Sequence, residues 1–138
     1  MTASPSPRIT SDPTQKLTFI DNKHIAEKPQ SYQTLIVDLD KIVESWRKSL
    51  FSYEWLDGKE FKQISALPEK DQKRRLDIED KIQNNHPVEK PVLGMGILDN
   101  VEIGMGRAAL LTLFLAGAKK MPVHVPNSQL DFFKDFQA

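Results

Sequence analysis

The sequence predicts an α+β domain, a small mixed sheet with flanking helices. Three observations carry this. Apolar residues fall at helical spacing between Asp40 and Phe51. A densely charged helical segment runs from Pro68 to Asn84. The last third alternates short apolar runs with Asp-Asn and glycine punctuation. Helices in the middle and a strand–strand–helix–strand end form the α+β pattern. At 138 residues the chain has the length of one domain and can bury a core without disulfides or metal.

Each element has its own signal. Met1 to Gln15 carries Pro5, Pro7 and Pro13 among Ser and Thr and reads as a flexible arm, leaving 16–138 as a single domain. Leu17 to Ile20 suits a short strand ended by Asp21-Asn22, and Ala26 to Ser31 reads as loop around Pro29. Tyr32 to Val37 is β-rich. Asp40 then offers an N-cap for a helix to Phe51, with Ile42, Val43, Trp46 and Leu50 on one face and Lys41, Glu44, Arg47 and Lys48 on the other. Ser52 to Gly58 reads as a turn holding Tyr53 and Trp55, and Lys59 to Leu67 as a short helix. Pro68 suits the first turn of the next helix, in which Leu76, Ile78 and Ile82 form a narrow apolar stripe; Asn84-Asn85-His86-Pro87 stops it. From Pro91 to Pro126 the order is strand, turn at Asp99-Asn100, strand, glycine turn, charge-free helix from Ala108, and a last strand from Met121 to Val125.

Composition excludes several functions. There is no cysteine, so disulfides, thiolate catalysis and cysteine-ligated metal are ruled out; the absence fits a cytoplasmic location. Nineteen Lys plus Arg balance nineteen Asp plus Glu, which gives no broad electrostatic footprint for nucleic acid. No apolar stretch approaches the roughly 20 residues of a membrane span, and Met1 to Gln15 lacks the basic and apolar regions of a signal peptide.

The segment Gly104-Met105-Gly106-Arg107 has the makings of a phosphate corner. Glycines let the backbone approach a ligand, and a helix N-terminus presents unpaired N–H groups and partial positive charge. Arg107 adds a fork of donors matched to phosphate oxygens. A cation at a helix start opposes the dipole, so an anion would explain its placement. The same residues also fit a plain strand-to-helix turn, with Arg107 paired to Glu102 or Asp99.

Ile103 to Leu111, IGMGRAALL, followed by Ala116 to Val125, AGAKKMPVHV, resembles the ParB/sulfiredoxin superfamily. There a strand enters a Gly-x-x-Arg turn and a helix, then a strand of the type (I/V/M)-P-V-x-V. Leu35 to Ile42 and Pro91 to Leu93 resemble the family's opening strand and helix and the strand before its motif. The resemblance spans roughly residues 32–126 and is sharp only over 103–125. It implies a ParB/sulfiredoxin-like fold and a nucleotide site, ATP or CTP with Mg²⁺, cradled by Gly104, Met105, Gly106 and Arg107. It implies a role in plasmid, phage or other mobile-element biology, with ATPase, nuclease or phosphotransferase activity known among small members. Departures narrow it. Met105-Gly106 stands where sulfiredoxins have Cys-His, and one arginine stands where partitioning ParB proteins have consecutive ones. With no room after Pro126 for their DNA-reading region, a stand-alone, reduced version is expected.

Other residues bear weighing. Glu102, just before the turn, is the best candidate for metal-assisted catalysis, with Asp99 and Asn100 beside it; Asp99-Asn100 also reads simply as a hairpin turn. His124, between two valines, should point away from them, toward solvent or the site mouth, either for proton transfer or as a hydrogen-bonded strand histidine. Lys73-Arg74-Arg75, with Lys70 and Lys81, is the one basic cluster, but interleaved carboxylates favour a solvated, salt-bridged face. Trp55, in a turn, and the tail Leu130 to Phe136 offer surfaces for a protein partner, although the tail also reads as a last helix docked on the core. An inactive interaction module, an inhibitor or toxin–antitoxin component, is therefore the second reading. DNA binding or nicking is a third, disfavoured by charge.

Overall fold

The computed structural model describes residues 12–138. Residues 1–11, most of the expected arm, lie outside the described residues. The end of that arm is docked. Asp12 caps a 3-10 turn over Pro13–Lys16, accepting the Thr14 N–H at 2.8 Å, and its other oxygen accepts the Lys119 N–H at 3.0 Å.

Strand β1 (Phe19–Ile20) is followed by a single helical turn, α1 (Lys23–Ala26), which the sequence reading lacked. Asn22 caps it by accepting the His24 N–H. Strand β2 (Tyr32–Asp38) runs into helix α2 (Leu39–Trp46). The cap is Asp38, not Asp40: its carboxylate accepts the Lys41 N–H at 3.2 Å, and Leu39, fully buried, already belongs to the helix. The helix ends at Trp46 rather than Phe51, so Leu50 and Phe51 are exposed. The helix expected over Lys59 to Leu67 is instead a hairpin, β3 (Leu56–Asp57) and β4 (Glu60–Phe61), followed by a 3-10 turn. Gly58-Lys59 is the two-residue loop, and Gly58 sits at φ 65° as the first position of a type II′ turn demands.

Helix α3 (Glu69–Asn84) starts after Pro68 and stops where Asn85 turns left-handed. Its buried stripe differs from the expected one. Ile78 is buried and Ile82 partly so, but Leu76 is exposed and Asp71 takes a buried place. Strands β5 (Val88–Glu89), β6 (Val92–Met95) and β7 (Val101–Met105), helix α4 (Arg107–Leu115), strand β8 (Lys120–Pro126) and a short helix α5 (Leu130–Phe133) complete the chain.

Four strands form a mixed sheet in the order β2-β8-β6-β7. β2 and β8 are antiparallel over their full length, Tyr32 opposite Pro126 and Asp38 opposite Lys120. β8 lies parallel to β6, and β6 and β7 are an antiparallel hairpin. β1 pairs in parallel with β5 beside this sheet. One buried cluster joins the sheet (Val37, Leu93, Val123, Val125) to α2 (Ile42, Val43, Trp46), α4 (Leu110, Leu111, Leu113) and the tail (Phe133). α4 is buried from Ala108 through Leu113, which is why its sequence is apolar all round. α3 packs along it.

Trp55 is a correction. It is fully buried, not a surface contact, because its 3-10 turn tucks the indole under Arg75, whose guanidinium carbon lies 6.0 Å from the ring centroid. The tail docks as a helix. Phe132, Phe133 and Phe136 pack on one another, and the Ala138 N–H bonds the Ile36 carbonyl at the edge of β2. No helix among the described residues is long and apolar enough to cross a membrane.

Candidate functional site

The glycine turn is built by one strict residue and one permissive one. Gly106 has φ 79°, and an added Cβ would lie 2.9 Å from the Pro91 Cα; neither condition suits a side chain. Gly104 is in ordinary strand geometry, and a Cβ there would meet only the Val92 carbonyl at 3.5 Å. Gly106 is also the N-cap of α4 and has no side chain to fill that role. The first bond closing the helix runs from the Leu110 N–H to the Gly106 carbonyl at 3.0 Å, so the N–H groups of Arg107, Ala108 and Ala109 have no partner among the described residues.

An open cleft of about 680 Å³ is lined on one side by Gly104 through Ala109, the segment that carries these groups. α3 supplies a second wall with Arg74, Asp77, Ile78 and Lys81, and α1 and β5 supply a third with Lys23, His24, Glu89 and the neighbouring Lys90. Five cations (Lys23, Arg74, Lys81, Lys90, Arg107) and two carboxylates (Asp77, Glu89) line the cleft, and three more carboxylates, Asp21, Glu54 and Asp71, pair with Lys90 and Arg107. The α3 residues were recoverable from sequence: positions 74, 77, 78 and 81 follow the i, i+3, i+4, i+7 spacing of one helical face. Lys23 and Lys90 were not, since only the β1–β5 pairing brings them to the turn.

Arg107 is not paired to Glu102 or Asp99. Its Nη1 donates to Glu54 Oε1 at 2.8 Å and its Nη2 to Asp71 Oδ2 at 2.7 Å. Asp71 is nearly inaccessible, its side chain 5% exposed, so Arg107 is the countercharge of a buried carboxylate. The pair ties the start of α4 to the first turn of α3 and to the turn before Trp55. No family model, curated protein or solved structure matches the chain.

Glu102 is occupied at the far end of β7. Its Oε1 accepts the Ser49 hydroxyl at 2.6 Å and its Oε2 accepts the Asn100 amide at 3.1 Å. Asn100, fully buried, also donates to the Val101 carbonyl, while Asp99 takes the left-handed turn position at φ 55°. Glu102 thus pins the β6–β7 turn to the loop after α2 and is not among the residues lining the cleft. No group of three His, Asp or Glu side chains among the described residues could hold a metal ion.

His124 is buried rather than turned to solvent, the second of the two roles its pattern allowed. Its Nε2 accepts the Asn22 N–H at 3.1 Å, so that nitrogen carries no proton. Burial pushes its pKa down. Asp21, 3.9 Å away, opposes this, and Lys90, bonded to Asp21 at 2.8 Å, adds to it. The histidine holds the residue that caps α1 and so fixes the wall that carries Lys23.

Proposed function

We propose that the chain is a small ParB/sulfiredoxin-like domain that binds a nucleotide or another phosphate-bearing molecule in the cleft at the Gly104–Arg107 turn. One observation carries the reading: the start of α4, with its unpartnered N–H groups, lines a cleft on which Arg74 and Lys23 stand without an ion-pair partner among the described residues. The volume suits a nucleotide-sized ligand, and ATP or CTP with Mg²⁺ are the ligands to try. The role is binding, with Glu102 committed elsewhere; a place in plasmid or phage biology rests on the resemblance alone. The experiment is the melting temperature of the chain with ATP, CTP and GTP, each with Mg²⁺. A ligand at 100 times its dissociation constant stabilises by about 2.7 kcal/mol. No shift with any of the three contradicts the reading.

A second reading has its own support. Arg107 is already neutralised by two carboxylates, and Leu50, Phe51, Tyr53, Ile97 and Leu98 are exposed. Ser49 bonds Glu102 and so brings the 50–53 loop to the β6–β7 turn. An interaction module would use that apolar surface. Phe51→Ser together with Tyr53→Ser would then abolish capture of a protein partner and leave nucleotide titrations unchanged.

A further inference from the structure

We propose that Arg74 and Lys23, not Arg107, are the side chains that contact the ligand's phosphates, and that the ligand is a small molecule with at least two linked phosphate groups. This rests on the function proposed above and names its contacts.

The cleft's cations are not equivalent. Arg107 is committed to Glu54 and Asp71, and removing it would strand a buried carboxylate. Lys81 is paired with Asp77 at 3.2 Å, and Lys90 with Asp21 at 2.8 Å. Arg74 and Lys23 are exposed and have no ion-pair partner among the described residues. They stand on different walls, Arg74 on α3 and Lys23 at the first position of α1. Arg74 also borders the adjoining cleft of about 560 Å³, as Arg107 does, which places it beside the start of α4.

Two unpaired cations on separate walls, with a helix N-terminus on a third, suit charge spread over more than one phosphate. A second linked phosphate gives each wall its own centre of charge, where a monophosphate offers both the same one. The two positions are also held in place. The Arg107–Asp71 pair fixes the α3 turn one step before Arg74, and Asn22, bonded to His124, fixes the start of α1.

The test is calorimetric titration of inorganic phosphate, pyrophosphate and ATP at one ionic strength. It uses the full chain, Arg74→Gln, Lys23→Gln and a control, Lys73→Gln. Lys73 makes the same charge change on α3 but lines only the adjoining cleft. All three positions are exposed, so the variants are expected to fold, and circular dichroism checks that they do. The expected result is pyrophosphate and ATP binding more tightly than phosphate. Arg74→Gln and Lys23→Gln should each weaken them about tenfold or more, and Lys73→Gln less than about twofold. ATP tighter than pyrophosphate would identify a nucleotide, and equal binding a free polyphosphate; either supports the inference. Binding that survives in Arg74→Gln and Lys23→Gln, or weakens equally in all three variants, overturns the inference and leaves the proposed function standing. No binding of pyrophosphate or ATP to the unmodified chain overturns both.

Discussion

At the residue scale, three residues decide how the site behaves. Gly106 combines a left-handed backbone with close approach to Pro91, so Gly106→Ala is expected to cost about 1–3 kcal/mol in urea unfolding. Gly104→Ala, in ordinary geometry, should cost less than half of that. Arg107→Ala removes the countercharge of Asp71 and should cost about 3 kcal/mol. For that reason the loss of Arg107 alone cannot report on ligand binding. His124 sets a pH dependence. Its pKa in the folded chain lies below its ordinary value near 6.5, so the unfolded chain takes up the proton first. Stability should be full above about pH 6.5, fall as pH drops below it, and level off once the folded histidine also titrates. Urea unfolding at pH 7.5 and 5.5 should show the loss, and His124→Gln should reduce it. The sequence identified Gly106, Arg107 and His124 as notable residues but not their partners. Glu54 and Asp71 lie 53 and 36 positions from Arg107, and no local pattern announces contacts at such separations.

At the element scale, strong periodicity and turn chemistry were legible. β2, α3, the β6–β7 hairpin, α4 and β8 fall where spacing and punctuation put them. The misses have physical causes. Asp38 and Asp40 both suit an N-cap, and burial of Leu39 decides for the earlier one. The hairpin closed at Gly58-Lys59 outweighed the weak helical pattern after it. α1 is one turn long and depends on Asn22 and on its anchor at His124, a contact across 102 positions. α4 is the central buried element, so Leu110→Ala should cost about 2–5 kcal/mol, read from the denaturation midpoint. Leu76→Ala on the exposed side of α3 should cost under about 0.5 kcal/mol.

At the scale of the whole molecule, the α+β class and the small mixed sheet were legible because the last third writes strand, hairpin, helix and strand in plain order. The cleft was only half legible. Its turn is a continuous segment, whereas its other walls come from α1, α3 and β5 and meet through tertiary packing. The start of α4 is the proposed seat of the ligand. The most direct test is a titration of ¹⁵N-labelled chain with ATP and Mg²⁺, followed by amide chemical shifts. The predicted result is saturable shifts at Gly106, Arg107, Ala108 and Ala109, with smaller ones at Lys23 and Arg74. Shifts confined to the 50–53 loop, or none at ligand concentrations in the millimolar range, would contradict it.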